Sequence, residues 1–204
     1  MHGYGLEDDA ESRAQYPFGF AVHVIYRVTA GRIEIHHEVK AAADNVAPMF
    51  FSIGNHLGFP VPLVAGSSAE AFTVESPAHF EYLRGSNGAP DGTTRERRFA
   101  PSTPLRDLKV MPAMSVGAYE DDPWFRLTDA SGLGVKVSHH APSTPPLPFV
   151  QFKLYGGTTE GFFCPEPFVG LHNSLNSQSD QIDLAPGKRW TCLICVEPER
   201  AAGR

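Results

Sequence analysis

The chain has 204 residues, 42% of them hydrophobic and 20% charged, enough for one substantial core. A net charge of -6 supplies no basic face for nucleic acid, and no apolar run is long enough to span a membrane. Three cysteines form no disulfide framework and the polar, acidic opening MHGYGLEDDAESR has no signal-peptide pattern, so the expected compartment is the cytoplasm.

Eighteen prolines and nineteen glycines predict many turns and short strands. Residues 20–40, FAVHVIYRVTAGRIEIHHEVK, alternate with period two on either side of Ala30-Gly31, which predicts a β-hairpin. Short apolar runs follow at 50–53, 71–75, 124–127, 133–138, 149–155, 161–164 and 190–196. Turn-rich segments separate them at 85–94, 120–123 and 141–148. The last is proline-rich and reads as an ordered connection rather than an interdomain linker. No window carries a helical apolar stripe free of proline and glycine. The expectation is one all-β domain, a large antiparallel sandwich, with residues 1–11 disordered or a remnant and 198–204 a tail.

Few motifs of known chemistry are present. There is no GxSxG elbow, no phosphate-binding loop and no HExxH. Cys192 and Cys195 have CxxC spacing without a second pair, and on a strand they face apart, which reads as core filling. In His36-His37-Glu38 and in His139-His140, neighbouring side chains also point to opposite faces, so at most one histidine of each could face inward. Arg95, Arg97 and Arg98 read as a solvated loop, with an anion contact as the alternative. FSIGNHLGFP (51–60) places Asn55 and His56 just beyond an apolar run. CPEP (164–167) and CVEP (195–198) each place a glutamate at the end of an apolar run, before a proline that stops the strand. Spacing alone does not choose between Glu166 and Glu197.

Three blocks together resemble the aldose 1-epimerase, or galactose mutarotase, family, in its broader aldose-epimerase-like branch. SRAQYPFGFAVHVIYRV (12–28) is similar to the lead-in to the family's hairpin, and PMFFSIGNHLGFPVPL (48–63) to its histidine motif. FVQFKLYGGTTEGFFCPEPFVGLHNSLNSQSDQIDLAPGKRW (149–190) resembles its closing segment. The resemblance implies a galactose mutarotase-type sandwich with early N-terminal strands missing. It implies His56 as general acid and Glu166 as general base, with Glu197 left as a tail residue. Asn55 then orients His56 by a hydrogen bond and Phe59 contacts the sugar face. No arginine, second histidine or substrate-binding aspartate of the family is matched.

The implied activity is interconversion of the α and β anomers of an aldose or aldose phosphate, a small-molecule substrate, with no metal and no cofactor. A carboxylate accepts the C1 hydroxyl proton while an imidazole protonates the ring oxygen, and each such group typically contributes roughly 10² to 10⁴-fold. The alternative is a non-catalytic sugar-binding or remnant sandwich. Missing strands would leave open sheet edges, and a homodimer covering those edges is one expected consequence.

Overall fold

The computed structural model describes residues 1–140, 150–178 and 180–200. Segment 141–148, expected to be an ordered connection, lies outside the described residues. The first strands are β1 (His2–Glu7), β2 (Phe20–Thr29), β3 (Arg32–Ala41), β4 (Met49–Phe51), β5 (Ile53–Gly54) and β6 (Phe59–Pro60). Next come β7 (Thr73–Ser76), β8 (Phe80–Arg84), β9 (Pro90–Glu96), β10 (Phe99–Pro104), β11 (Met114–Gly117) and β12 (Trp124–Thr128). The last are β13 (Leu133–His140), β14 (Val150–Gly157), β15 (Phe162–Val169), β16 (Ile182–Leu184) and β17 (Arg189–Arg200). Two short helices, α1 (Ala10–Gln15) and α2 (Ser174–Ser177), and two 3₁₀ turns, Ala69–Ala71 and Leu105–Asp107, complete the described elements.

The predicted hairpin is β2 and β3, with Val22 opposite Val39 and Val28 opposite Ile33. Gly31 turns the chain at φ +96°, a left-handed conformation that glycine adopts without a Cβ clash. This hairpin belongs to an eight-stranded sheet in the order β1-β2-β3-β17-β13-β12-β7-β10. A second sheet runs β5-β15-β14-β11-β8-β9, with β6 also paired to β15, and β16 pairs with β4. The two large sheets pack face to face. Ile35, Phe125 and Ile194 of the first meet Val116, Phe152 and Phe163 of the second, all buried. A smaller cluster joins Val39, Trp190 and Cys192 to Val150, Val169 and Leu184. Each fully buried side chain of this size contributes roughly 1.5–3 kcal/mol, so the sandwich rests on these facing residues.

Several elements differ from expectation. Residues 2–7 form β1, paired to β2 along its whole length, because the backbone bonds to the hairpin edge without needing burial. Tyr4 and Leu6 are left exposed there. Segment 85–94, read as a turn, contains most of β9, a strand with mostly exposed polar side chains. Glu197 is not a tail residue: β17 continues past it, and it lies opposite Lys136. The arginine cluster reads as solvated: Arg95 bonds Glu81 at 2.7 Å, Arg98 bonds Glu96 at 2.7 Å, and Arg97 lies over the Phe99 ring.

Alternation allowed at most one histidine of each pair inside, and in both pairs one is buried. His37 and His139 are buried, and burial first, with neighbouring imidazoles second, lowers both to about 4. His37 Nδ1 lies 3.6 Å from Cys192 Sγ, while His139 Nδ1 has no partner. Cys192 and Cys195 are both buried on opposite faces of β17. Because the two folded imidazoles titrate below the ordinary histidine value, the stability they confer is full above about pH 6.5 and is lost as pH falls toward 4. Urea denaturation at pH 7.5 and at pH 4.5 should therefore differ by on the order of a few kcal/mol. His139→Leu should shrink that difference; an unchanged difference would show that His139 takes no part in it.

Candidate active site

The site forms where β15 is hydrogen-bonded on both sides. β14 flanks one edge with Lys153 opposite Glu166 and Tyr155 opposite Cys164. The other edge is shared by two short strands: β5 pairs Gly54 with Phe168, and β6 pairs Phe59 with Phe163. Between these pairings residues 55–58 arch away from the sheet. The arch is pinned at one end by the Asn55 N–H, which donates to Pro167 O at 3.1 Å. Beyond its other end the Val61 N–H donates to Gly161 O at 3.0 Å. Farther on, the buried Asp129 carboxylate accepts from the Leu63 N–H at 2.9 Å and the Ser67 hydroxyl at 2.6 Å, tying down the chain that leaves the arch. Gly54 is required by close approach, since a Cβ there would lie 2.2 Å from the Phe168 ring.

This arrangement brings His56 over the strand. His56 Nε2 lies 3.0 Å from Glu166 Oε1, with the histidine side chain 64% exposed and the glutamate 5%. Burial pushes the Glu166 carboxyl above the usual range, opposed by the positive charges of His56 and Lys153. Around the pair is a cavity of about 310 Å³, near the lower end of small-molecule sites, lined also by Arg84, Lys153, Tyr155 and His172. The Tyr155 ring faces His56 edge to face with centroids 6.4 Å apart and continues onto Phe162 at 5.7 Å. Cys164 points to the same face as Glu166, two residues away on the strand, and burial followed by the Glu166 charge raises its thiol to about 11. One donor atom each from His56, Cys164 and Glu166 lies within 4.8 Å of the others, a set chemically suited to an ion such as Zn²⁺.

Of the residues singled out in the sequence, His56 and Glu166 come together and the other two do not join them. Phe59 sits opposite Phe163 and packs against the core, so the pleat directs it away from the cavity. Asn55 holds the arch through its backbone, and its buried Oδ1 has no hydrogen-bond partner, so it does not orient His56. Arg84, Lys153, Tyr155 and His172 were not anticipated. Lys153 and Tyr155 could have been found from their alternation on a strand paired to CPEP; Arg84 lies on a strand that polar flanking sequence concealed.

The structure superposes on a galactose mutarotase related enzyme from Lactobacillus acidophilus with a TM-score of 0.79 at 19% identity, covering 99% of this chain and 69% of that one. The fold is that of the galactose mutarotase-like structures. A galactose mutarotase-like protein from Lactobacillus casei gives 0.76 at 19% identity, covering 97% of this chain and 69% of that one. A galactose 1-epimerase from Lactobacillus acidophilus gives 0.72 at 15% identity, covering 98% and 63%. The chain thus spans 63–69% of the length of these mutarotase-like chains. No protein-family model matches the sequence, and no curated protein matches it. Among the described residues, no helix is long and apolar enough to cross a membrane.

Two outcomes follow from this geometry. Gly54→Ala must displace Phe168 and with it the arch, which should cost about 1–3 kcal/mol in urea denaturation; wild-type stability would contradict the close approach. Glu166 is raised in the fold, so its ionisation costs stability as pH rises past the ordinary glutamate range. Glu166→Gln removes that cost and should melt at or above the wild-type temperature at pH 7.

Proposed function

We propose that the protein is an aldose 1-epimerase, interconverting the α and β anomers of an aldose by general acid–base ring opening. The observation that carries this reading is the His56–Glu166 contact of 3.0 Å inside a concave cavity on a mutarotase-like sandwich. Glu166 takes the proton of the C1 hydroxyl while His56 gives one to the ring oxygen, and the C1–O5 bond breaks. The open aldehyde turns about C1–C2. Closure on the opposite face returns the Glu166 proton to the carbonyl oxygen, and the C5 hydroxyl proton goes to His56. Both groups end as they began, and atoms and charge balance over the cycle.

The environment of each group suits its part. Desolvation strengthens Glu166 as a base by raising its carboxyl, so that it holds a proton through the open-chain interval more readily than a free glutamate. His56 stands on the arch, exposed, where it can leave its contact with Glu166 as a sugar enters. Without substrate such catalytic contacts are often not in their reactive geometry, and here the two groups satisfy one another instead. Tyr155, backed by Phe162, offers an aromatic face for the apolar side of the ring.

Polarimetry or exchange NMR on freshly dissolved α-glucose and α-galactose tests the reading. Glu166→Gln and His56→Asn should each lower the catalysed rate by about 10² to 10⁴-fold. The acid limb of the wild-type rate profile should lie above the ordinary glutamate value, because Glu166 is raised. Equal rates with and without protein would leave a non-catalytic sugar-binding sandwich, and a rate that survives both substitutions would remove the pair from the mechanism.

A further inference from the structure

The His56–Glu166 pair is part of a larger group of donor atoms. Cys164 and Glu166 alternate on β15 and so project from one face of the strand, and the arch carries His56 over them. The thiol lies beneath the arch itself: a Cβ on Gly58 would stand 3.4 Å from Cys164 Sγ. One nitrogen, one sulfur and one carboxylate oxygen therefore lie within 4.8 Å of one another, with Nε2 and Oε1 3.0 Å apart. Among the described residues this is the one such cluster.

Cys164 is only 2% exposed, makes no hydrogen bond with any described residue and has no part in the proposed proton transfers. The other two cysteines differ, since Cys192 meets His37 Nδ1 at 3.6 Å and Cys195 bonds the Ser138 hydroxyl. Around a tetrahedral Zn²⁺ with ligands at about 2.0–2.3 Å, donor atoms stand roughly 3.3–3.6 Å apart. Nε2 and Oε1 need separate only slightly, and the sulfur edges need close by no more than about 1.3 Å, a movement that side-chain rotation supplies. His56, exposed on the arch, is free to make it.

The donor set also chooses the ion. Mg²⁺ and Ca²⁺ call for several oxygen ligands, whereas Glu166 is the one carboxylate lining the cavity and Arg84 and Lys153 line it too. A thiolate and an imidazole suit Zn²⁺, and the thiolate and carboxylate together cancel its two charges.

We propose that His56, Cys164 and Glu166 form a binding site for one Zn²⁺ ion, and that its occupation halts the acid–base reaction. On binding, the Cys164 S–H proton leaves to solvent as the Zn–S bond forms, while His56 Nε2 and the Glu166 carboxylate each give a lone pair; nothing is oxidised or reduced. Those two lone pairs are the ones that take up and return protons in the epimerase cycle, so metal and sugar chemistry exclude each other. The site stands on the donor geometry alone, and its effect on rate rests on the epimerase reading.

Titration of the metal-free full chain with Co²⁺ and then Zn²⁺ tests the site, using wild type, Cys164→Ser and His56→Asn. One equivalent of Co²⁺ should give wild type a thiolate-to-cobalt charge-transfer absorption that one equivalent of Zn²⁺ removes. Cys164→Ser should lose the band, and both variants should bind Zn²⁺ roughly tenfold or more weakly, at least the loss caused by disturbing a ligand's support. Circular dichroism should show both folded, and His56→Asn, on an exposed arch, keeps the test open where a buried serine is not tolerated. Anomer exchange of α-glucose and α-galactose by wild type should fall in proportion to Zn²⁺ occupancy, recover on chelation and ignore Mg²⁺ and Ca²⁺. Absence of the band, or Zn²⁺ affinity unchanged in both variants, overturns the site. A rate that persists or rises at full occupancy overturns the inhibition. A chain that shows the band yet accelerates no sugar removes the epimerase reading and the inhibition with it, and leaves the metal site standing.

Discussion

β15 is hydrogen-bonded by one long strand on one side and by two separate two-residue strands on the other, and the site exists because of that division. If residues 53–60 paired continuously, His56 would lie in the plane of the sheet. Splitting the pairing forces residues 55–58 outward, directly over the stretch of β15 that carries Glu166. Strands this short are marginal alone. They are kept in register by the Asn55 and Val61 backbone bonds, by the Phe168 ring against Gly54, and by Asp129 holding the chain beyond. Bringing two such distant segments together costs loop entropy that grows only slowly with separation, and the shared core offsets it.

The electrostatics follow from the same placement. Glu166 projects from a central strand and is desolvated by its neighbours, so its charge is costly. Lys153 across the strand and His56 above it reduce that cost, yet they do so from one side. Arg84 and His172 line the cavity as well. Elsewhere on the sandwich Arg126 is clasped between Glu75 and Glu199, and Arg189 meets Glu38.

How much of this was legible varied with the physics of each element. The β2–β3 hairpin was readable because period two and a glycine turn coincide, and the same alternation limited each histidine pair to one inward member without saying which. β1, β6, β8, β9, β10, β11 and β16 were missed: β1 and β9 have largely exposed side chains, and the others are short, so hydrophobic patterning gives little sign of them. Their backbone pairing is decided by neighbours that lie elsewhere in the sequence. Glu166 could not be told from Glu197 by spacing, because both precede prolines at apolar runs. Resemblance chose Glu166, and the pairing of β15 places it beside His56. Phe59 and Asn55 were misplaced for one reason. The split pairing, invisible in the sequence, sends Phe59 into the core and turns Asn55 into a backbone anchor.

Base and acid sit on elements of different stiffness, and the proposed reaction makes use of the difference. Glu166 is fixed by hydrogen-bonded neighbours on both sides and by burial, so the proton acceptor stays at one point. His56 rides an exposed arch pinned near its ends, so its imidazole can move by a side-chain rotation without disturbing the sheet. Ring closure on the opposite face changes where the ring oxygen lies relative to C1, while the C1 oxygen can remain near the base. A rigid base and an adjustable acid meet that requirement with two residues, whereas two rigid groups would fit one anomer and disfavour the other. The exposure of His56, which in isolation would suggest a solvated residue of no consequence, is then the property that lets one dyad serve both directions.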